Sequence, residues 1–403
     1  MTDPDTQQTS ARTADGPAGL EELVALLARH AAEVDRTARF PVEGLTALRS
    51  TGFLGYLVPT AYGGTGGGLA GFAEVARTLA GGCLSTAMIW AMHCQQVDAL
   101  VRHAGEELRE NLLPRVAAGE VYLGSVTTEA GKGGHLLSAH DALLRDDTEA
   151  DGSSHTLLLR RSAPVVTGGA HADGFLITMR ADQDSAEHAV SLVYADRTAL
   201  TVRPTGTWNP LGMRGTDSGG LFLEGVVHRE HIVGAPGRFR EVAVDSMIPV
   251  GHIAWSSCWL GAARQVFADL LRRLARDGRT DLGSPLVRER IGRIRMDLEL
   301  VSAYLRRVVE EVQLLRAAHE PAGAAAVQIH VNTLKLAASE LTFSAVDRMV
   351  QLAGLGLGYS PDSPLPLERT FRDLRSASLN FANDRLWTAN GALSLMDRKV
   401  NLL

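Results

Sequence analysis

Apolar residues begin to recur at helical spacing near residue 20, where Leu20, Leu23, Leu26 and Leu27, with His30, fall on one face. A second helix is expected over 41–50. An apolar segment at 52–59 and a glycine-rich run at 62–68 follow, then three helices at 69–80, 85–103 and 106–118. The period changes at residue 122. Between 122 and 233 the runs HTLLLR (155–160), GFLITM (174–179), AVSLVY (189–194) and GLFLEG (220–225) have strand length. They are bounded by Gly, Asp, Ser and Pro, which make turns. Helical spacing then resumes over 239–275, 285–315, 322–352 and 367–395, with short Gly/Pro breaks, which predicts an antiparallel bundle. The expected fold is mainly α with a central β domain. It comprises a disordered polar tail at 1–16, an N-terminal helical domain at 17–121, a β domain at 122–238 and a C-terminal helical bundle at 239–403.

A block of strands between two helical blocks makes two seams, and ligand sites favour seams between domains. With 403 residues, 45% of them hydrophobic, the chain can bury a large core. A net charge of −6 argues against a nucleic-acid surface. Cys83, Cys94 and Cys258 are odd in number and lack CxxC spacing, so neither a disulfide framework nor a metal site is expected. No apolar run approaches the roughly 18 residues that span a membrane, and no leader pattern opens the chain, so the expected location is the cytoplasm.

Familiar catalytic motifs are missing: there is no GxSxG, HExxH or Walker A pattern, and the glycines at 63–68 precede no Lys-Ser/Thr. His93 stands among Met88, Trp90 and Met92, the usual setting of a hydrogen-bonded core histidine. Three segments have binding character. SVTTEAGKGG (125–134) offers hydroxyls and a glycine-rich loop, VVTGG (165–169) a hydroxyl beside two glycines, and QLAGLGLG (351–358) a glycine-rich helix end. Each by itself is also ordinary turn chemistry.

Taken together and in order, these segments resemble the acyl-CoA dehydrogenase superfamily of flavoproteins. The resemblance rests on GFLGYLVPTAYGG (52–64), TEAG (128–131), LGMRGTDS (211–218), QLAG (351–354) and ERTFRD (368–373), and spans nearly the whole chain after the tail. It implies an N-terminal helical domain, a middle β-barrel or sandwich domain, a four-helix bundle, FAD in the seam and a homotetramer or homodimer. It further implies that Thr127 and Thr128 contact the pyrimidine side of the flavin, and that Thr167, after Val165 and Val166, approaches flavin N5. Val165 stands where the family has tryptophan. Gly133 and Gly134 replace a Gly-Ser pair that touches cofactor and thioester. Gln351 and Gly354 correspond to a segment reaching the adenosine half of FAD on a neighbouring subunit, and Arg279 is the candidate partner of the pyrophosphate.

The main departure concerns the base. The family's reaction at the CH–CH group of an acyl thioester needs a carboxylate to take the α-proton. The resemblance puts that glutamate eight residues after Asp373, where this chain has Phe381, or alternatively near Gly251 and His252. His252 is therefore the candidate base, since imidazole titrates near neutrality. Two reactions stay open. One is FAD-dependent dehydrogenation of an acyl-CoA or carrier-bound acyl chain, passing electrons to an external acceptor. The other is two-component monooxygenation, with FMN or another reduced flavin supplied by a reductase; for it His93, on a helix resembling one that carries a catalytic histidine, joins His252.

Overall fold

The computed structural model describes residues 19–131, 135–145, 155–278 and 280–403. The expected tail at 1–16 lies outside them.

The N-terminal part is helical: α1 Leu20–Thr37, α2 Val42–Ser50, α3 Leu69–Gly82, α4 Leu84–His103 and α5 Glu106–Ala117. Helix α1 buries Leu23, Leu27, Ala31 and Val34, the face its spacing predicts. Helix α4 is buried along most of its length. Its Trp90 meets Phe53 and Tyr56 edge-on and lies tilted against Phe72. The indole N–H donates to the Phe53 carbonyl at 2.8 Å, so the apolar segment at 52–59 is wound around one fully buried tryptophan.

Two four-stranded sheets follow. The first runs in the order β1 (Leu123–Val126), β4 (Gly174–Arg180), β5 (Val190–Asp196), β8 (Ile232–Val233), with β1 and β4 parallel and the other pairs antiparallel. The second is antiparallel throughout, in the order β2 (Leu144–Arg145), β3 (Thr156–Ala163), β7 (Leu221–His228), β6 (Leu200–Pro204). Burial explains the sequence patterns. Strands β4 and β5 are buried at six successive positions, hence their continuous apolar runs, whereas β3 alternates buried and exposed. The expected strands are β3, β4, β5 and β7. The others have two to five residues, too few to establish a period of two.

The C-terminal part begins with α6 (Phe239–Val242), a π-helical turn at Ala243–Met247, and α7 (Ile248–Asp277). Then come α8 (Pro285–Ala317) and α9 (Ala325–Gly354). The stretch expected as one helix over 367–395 is two, α10 (Leu367–Arg375) and α11 (Asn383–Ser394), separated by a turn at 376–382. The reason is local chemistry. Ser and Asn side chains compete with helical hydrogen bonds, and Ser376 Oγ donates back to the Asp373 carbonyl at 2.6 Å. Phe381 sits at φ 50°, in the left-handed region. Helix α7 packs between α3 and α9, joining the two helical parts. Among the described residues, no helix is long and apolar enough to cross a membrane.

The α3–α7 crossing is close. A Cβ on Gly261 would lie 2.1 Å from the Arg77 carbonyl oxygen, while one on Gly292 in α8 meets nothing within 4 Å. Gly261→Ala should therefore destabilise the chain by about 2 kcal/mol through overpacking. Gly292→Ala should stabilise it by roughly 0.5–1 kcal/mol, because alanine is the better helix former. Urea midpoints of the two variants check the contrast.

Candidate functional site

All three parts of the chain meet at Arg372 and Asp373 in α10. Arg372 makes a two-point salt bridge to Asp35 of α1, at 2.6 and 3.0 Å, pairs with Glu368 on its own helix, and donates to the Leu211 carbonyl at 2.9 Å. Hydrogen bonding to Asp35 and Glu368 outweighs burial and drives its pKa up. Asp373 Oδ1 accepts the Met213 backbone N–H at 2.5 Å. Met213 has φ 56°, strained for a non-glycine residue, and this bond holds it there. Gly212 must be glycine, since its Cβ would lie 2.1 Å from the Arg372 carbonyl oxygen. Arg214 completes the turn, donating to Asp35 O at 2.7 Å and Asn209 Oδ1 at 2.7 Å. Burial pushes the Asp373 carboxyl up to about 6, partly offset by the Met213 N–H.

Beside this junction lies a cavity of about 620 Å³. Its β-domain wall is polar and carries the hydroxyls of Ser125, Thr127, Thr128, Thr167, Thr216 and Ser218. These are ordered by one another: Ser218 Oγ donates to Thr167 Oγ1 at 3.1 Å, and Thr128 Oγ1 donates to the Val165 carbonyl at 2.7 Å. The loop behind them is anchored by Glu129, which is buried against Arg161 at 2.6 Å and accepts the backbone N–H groups of His140 and Asp141. The helical wall is apolar: Met88 and Met92 of α4, Trp255 and Trp259 of α7, and Leu379 and Phe381 of the turn after α10. The buried Trp255 indole N–H has no hydrogen-bond partner among the described residues. Three arginines, Arg372, Arg375 and Arg385, complete the rim; no Asp, Glu, His, Lys, Tyr or Cys lines the cavity among the described residues.

Of the residues singled out in the sequence, Thr127, Thr128, Val165 and Thr167 share this wall. Val166 is buried behind it. Gly133, Gly134 and Arg279 lie outside the described residues. Gln351 and Gly354 are exposed at the end of α9, away from the cavity lining of their own chain, with Gln351 bonded to Asp347 at 2.7 Å.

Neither histidine is on the wall. His93 is fully buried; Nε2 meets the Leu54 carbonyl at 2.9 Å and Nδ1 accepts the Leu123 N–H at 3.0 Å, so both nitrogens are committed, one to the segment at 52–59 and one to β1. Burial holds its pKa down to about 4. His252 donates from Nδ1 to the Val331 carbonyl at 3.1 Å and stands one layer back, in ring contact with Trp255 and Phe381. Burial, with Lys335 nearby, holds it down to about 3. Lys335 is itself buried and hydrogen-bonds Asn383 Oδ1 at 2.6 Å and the Phe381 carbonyl at 3.3 Å, which secures the turn; desolvation lowers its pKa to about 8. Apart from Phe381, the helical wall was not placed at the site from the sequence. Its signal was the four-residue spacing of Met88/Met92 and Trp255/Trp259, which puts each pair on one helix face.

Two family models match: "Acyl-CoA dehydrogenase, N-terminal domain" over residues 22–120 and "Acyl-CoA dehydrogenase, C-terminal domain" over 242–380, together more than half of the chain. Mycobacterium tuberculosis "Probable acyl-CoA dehydrogenase FadE25" is 29% identical over 224 residues, 55% of this chain and 55% of that protein. The match thus spans about half the length of that relative. The Clostridium acetobutylicum "Acyl-CoA dehydrogenase, short-chain specific" is 25% identical over 349 residues, 86% of this chain and 87% of that protein. Among solved structures, FMN-bound TdsC from Paenibacillus sp. A11-2, a dibenzothiophene monooxygenase, has a TM-score of 0.81 at 20% identity, covering 92% of this chain and 95% of that one. At that identity the likeness shows the fold.

The buried titratable groups predict an acid response. His93 and His252 gain protons near 6.5 when unfolded but only at about 4 and 3 when folded, so their contribution is present above 6.5 and lost as pH falls. Asp373, with its folded pKa raised to about 6, acts oppositely between 3.8 and 6. Two groups against one should leave a loss of about 1.4 kcal/mol per pH unit below pH 6 from these three. Asp373→Asn should roughly double that slope. Urea unfolding from pH 7 to pH 4.5 measures both.

Proposed function

The chain belongs to the acyl-CoA dehydrogenase superfamily, and from that membership we propose that it is a flavin-dependent oxidoreductase with the seam cavity as its active site. The lining fits a flavin ring. Thr127, Thr128 and Thr167 supply hydroxyls for the polar edge, the unpartnered Trp255 N–H is a further donor, and indole and thioether groups supply apolar contact. When bound, the flavin supplies two-electron redox chemistry and, in its reduced form, reactivity with oxygen. The chain's own residues orient the ring through hydroxyls and exclude water with Met88, Met92, Trp255, Trp259 and Phe381.

Of the two reactions, oxygenation of an apolar substrate fits better. The observation that carries this is the wall without a base: Phe381 lines the cavity at one of the two places where the resemblance puts the glutamate, His252 at the other stands behind it, and no carboxylate or imidazole lines it among the described residues. Thioester dehydrogenation needs an acceptor for the α-proton as hydride leaves, whereas adding oxygen to a heteroatom breaks no C–H bond, and on an electron-rich ring the displaced proton is lost only after the oxygen has been added. On this reading the flavin arrives reduced from a partner reductase, as FMN or FAD. The second reading, dehydrogenation of an acyl thioester with FAD and an external electron acceptor, is favoured by both matching family models and the named dehydrogenase relatives. It requires His252 to act from behind Phe381, or His93 to give up a backbone bond. We further propose that copies of the chain associate through the exposed end of α9, where Leu355 and Tyr359 are 81% and 66% exposed.

The test is a pair of assays on the purified protein. Reduced FMN, oxygen and indole as probe should give oxygenated indole, while a panel of acyl thioesters should leave bound flavin oxidised under anaerobic conditions. Anaerobic bleaching by any thioester, with no oxygenated product in the first assay, would replace the first reading with the second.

A further inference from the structure

The distribution of charge around the cavity says more than the base it lacks. Arg375 ends α10 and Arg385 lies in the first turn of α11, so they stand at the two feet of the turn that carries Phe381. Several other guanidiniums are paired with carboxylates: Arg372 with Asp35 and Glu368, Arg316 with Asp98, Arg348 with Asp297. Arg375 is different. Its one side-chain hydrogen bond goes to the neutral Ser378 Oγ, at 3.1 Å, and it lies over the Phe343 ring at 6.0 Å. The Arg385 guanidinium has no hydrogen-bond or salt-bridge partner among the described residues. The nearby acids are turned to other work: Glu340 accepts from Asn383 and Trp387, and Asp384 is exposed and off the cavity wall.

Beneath the turn, buried Lys335 is bonded to no carboxylate among the described residues, but Glu340 acts on it electrostatically and offsets its charge. In a chain of net charge −6, two guanidiniums without an acid partner stand at the rim of one cavity with no acid on its lining among the described residues. A cleft with low-dielectric walls and one sign of charge concentrates ligands of the other sign.

We propose that the cavity takes an amphipathic anion: an apolar, ring-sized body against Trp255, Trp259 and Phe381, with its acidic group held between Arg375 and Arg385. This rests on the cavity being the ligand site, not on which reaction occurs there. The acidic group belongs either to the substrate, as a carboxylate, sulfonate or phosphate, or to the phosphate of the flavin.

Two matched pairs of probes test it without turnover. The first is 1-anilinonaphthalene-8-sulfonate and its uncharged analogue N-phenyl-1-naphthylamine, both followed by energy transfer from tryptophan. The second is FMN and riboflavin, followed by flavin fluorescence. The Arg375→Gln/Arg385→Gln protein should bind the sulfonate about tenfold more weakly, two partly exposed ion contacts being lost, and the neutral dye as before. Arg375→Lys/Arg385→Lys should retain most of the sulfonate affinity, and added salt should weaken sulfonate binding in the unaltered protein. If FMN binding is unchanged in the Gln variant, the anion is the substrate's. If FMN loses its advantage over riboflavin, the anion is the cofactor's phosphate. Unchanged sulfonate and FMN affinities in the Gln variant, or equal losses for the charged and neutral dyes, would overturn the proposal. Because no turnover is read, that failure would leave the oxidoreductase reading standing.

Discussion

One ion pair sets the geometry of this molecule. Arg372 and Asp35 bring the end of the bundle against the first helix, and the adjacent Asp373 grips the backbone of the β domain at Met213. The pair is only partly buried, so its net contribution to stability is modest, but leaving either charge without its partner is costly. Its consequence is positional. It holds α10 where the following turn can line a cavity, and it holds the strained turn at 211–218 against that helix. Gly212 shows how tight the approach is, because a single added carbon would overlap the Arg372 carbonyl.

The cavity that results has two unlike walls. The sheet side is a row of hydroxyls, several of them bonded to one another, so they present fixed polar groups at little reorganisation cost. The bundle side is thioether, indole and phenyl. Titratable groups do occur close by, but each is held one layer back: His252 behind Trp255 and Phe381, Lys335 beneath the turn, and His93 locked between two backbone groups. Burial keeps both imidazoles uncharged at neutral pH, so they brace the wall without adding charge to it. The charge that does reach the rim is all of one sign.

Much of this was legible in the sequence, and the remainder was not, for identifiable reasons. The order of helical and extended segments followed from apolar spacing, and SVTTEAGKGG and VVTGG pointed to Thr127, Thr128 and Thr167 on the polar wall. The apolar wall was partly readable from the four-residue spacing of two methionines and two tryptophans. Strands β1, β2, β6 and β8 were too short to carry a period and exist because longer strands pair with them. The break at 376–382 escaped because 367–395 reads as one helical stretch; the distant Lys335 secures the turn by bonding the Phe381 carbonyl and the Asn383 side chain.

What the sequence by itself determined is the class of each segment and the motifs along it, since both depend on residues within a few turns of one another. Only the tertiary structure decided which of those residues share a wall. Asp35 and Arg372 are 337 positions apart yet form one ion pair, and Trp255 and Thr167, in different domains, line one cavity. No local rule relates them. Their meeting is the outcome of helix α7 packing between α3 and α9 while a partly buried charge pair pins the sheet domain beside it, and that is a property of the packed whole.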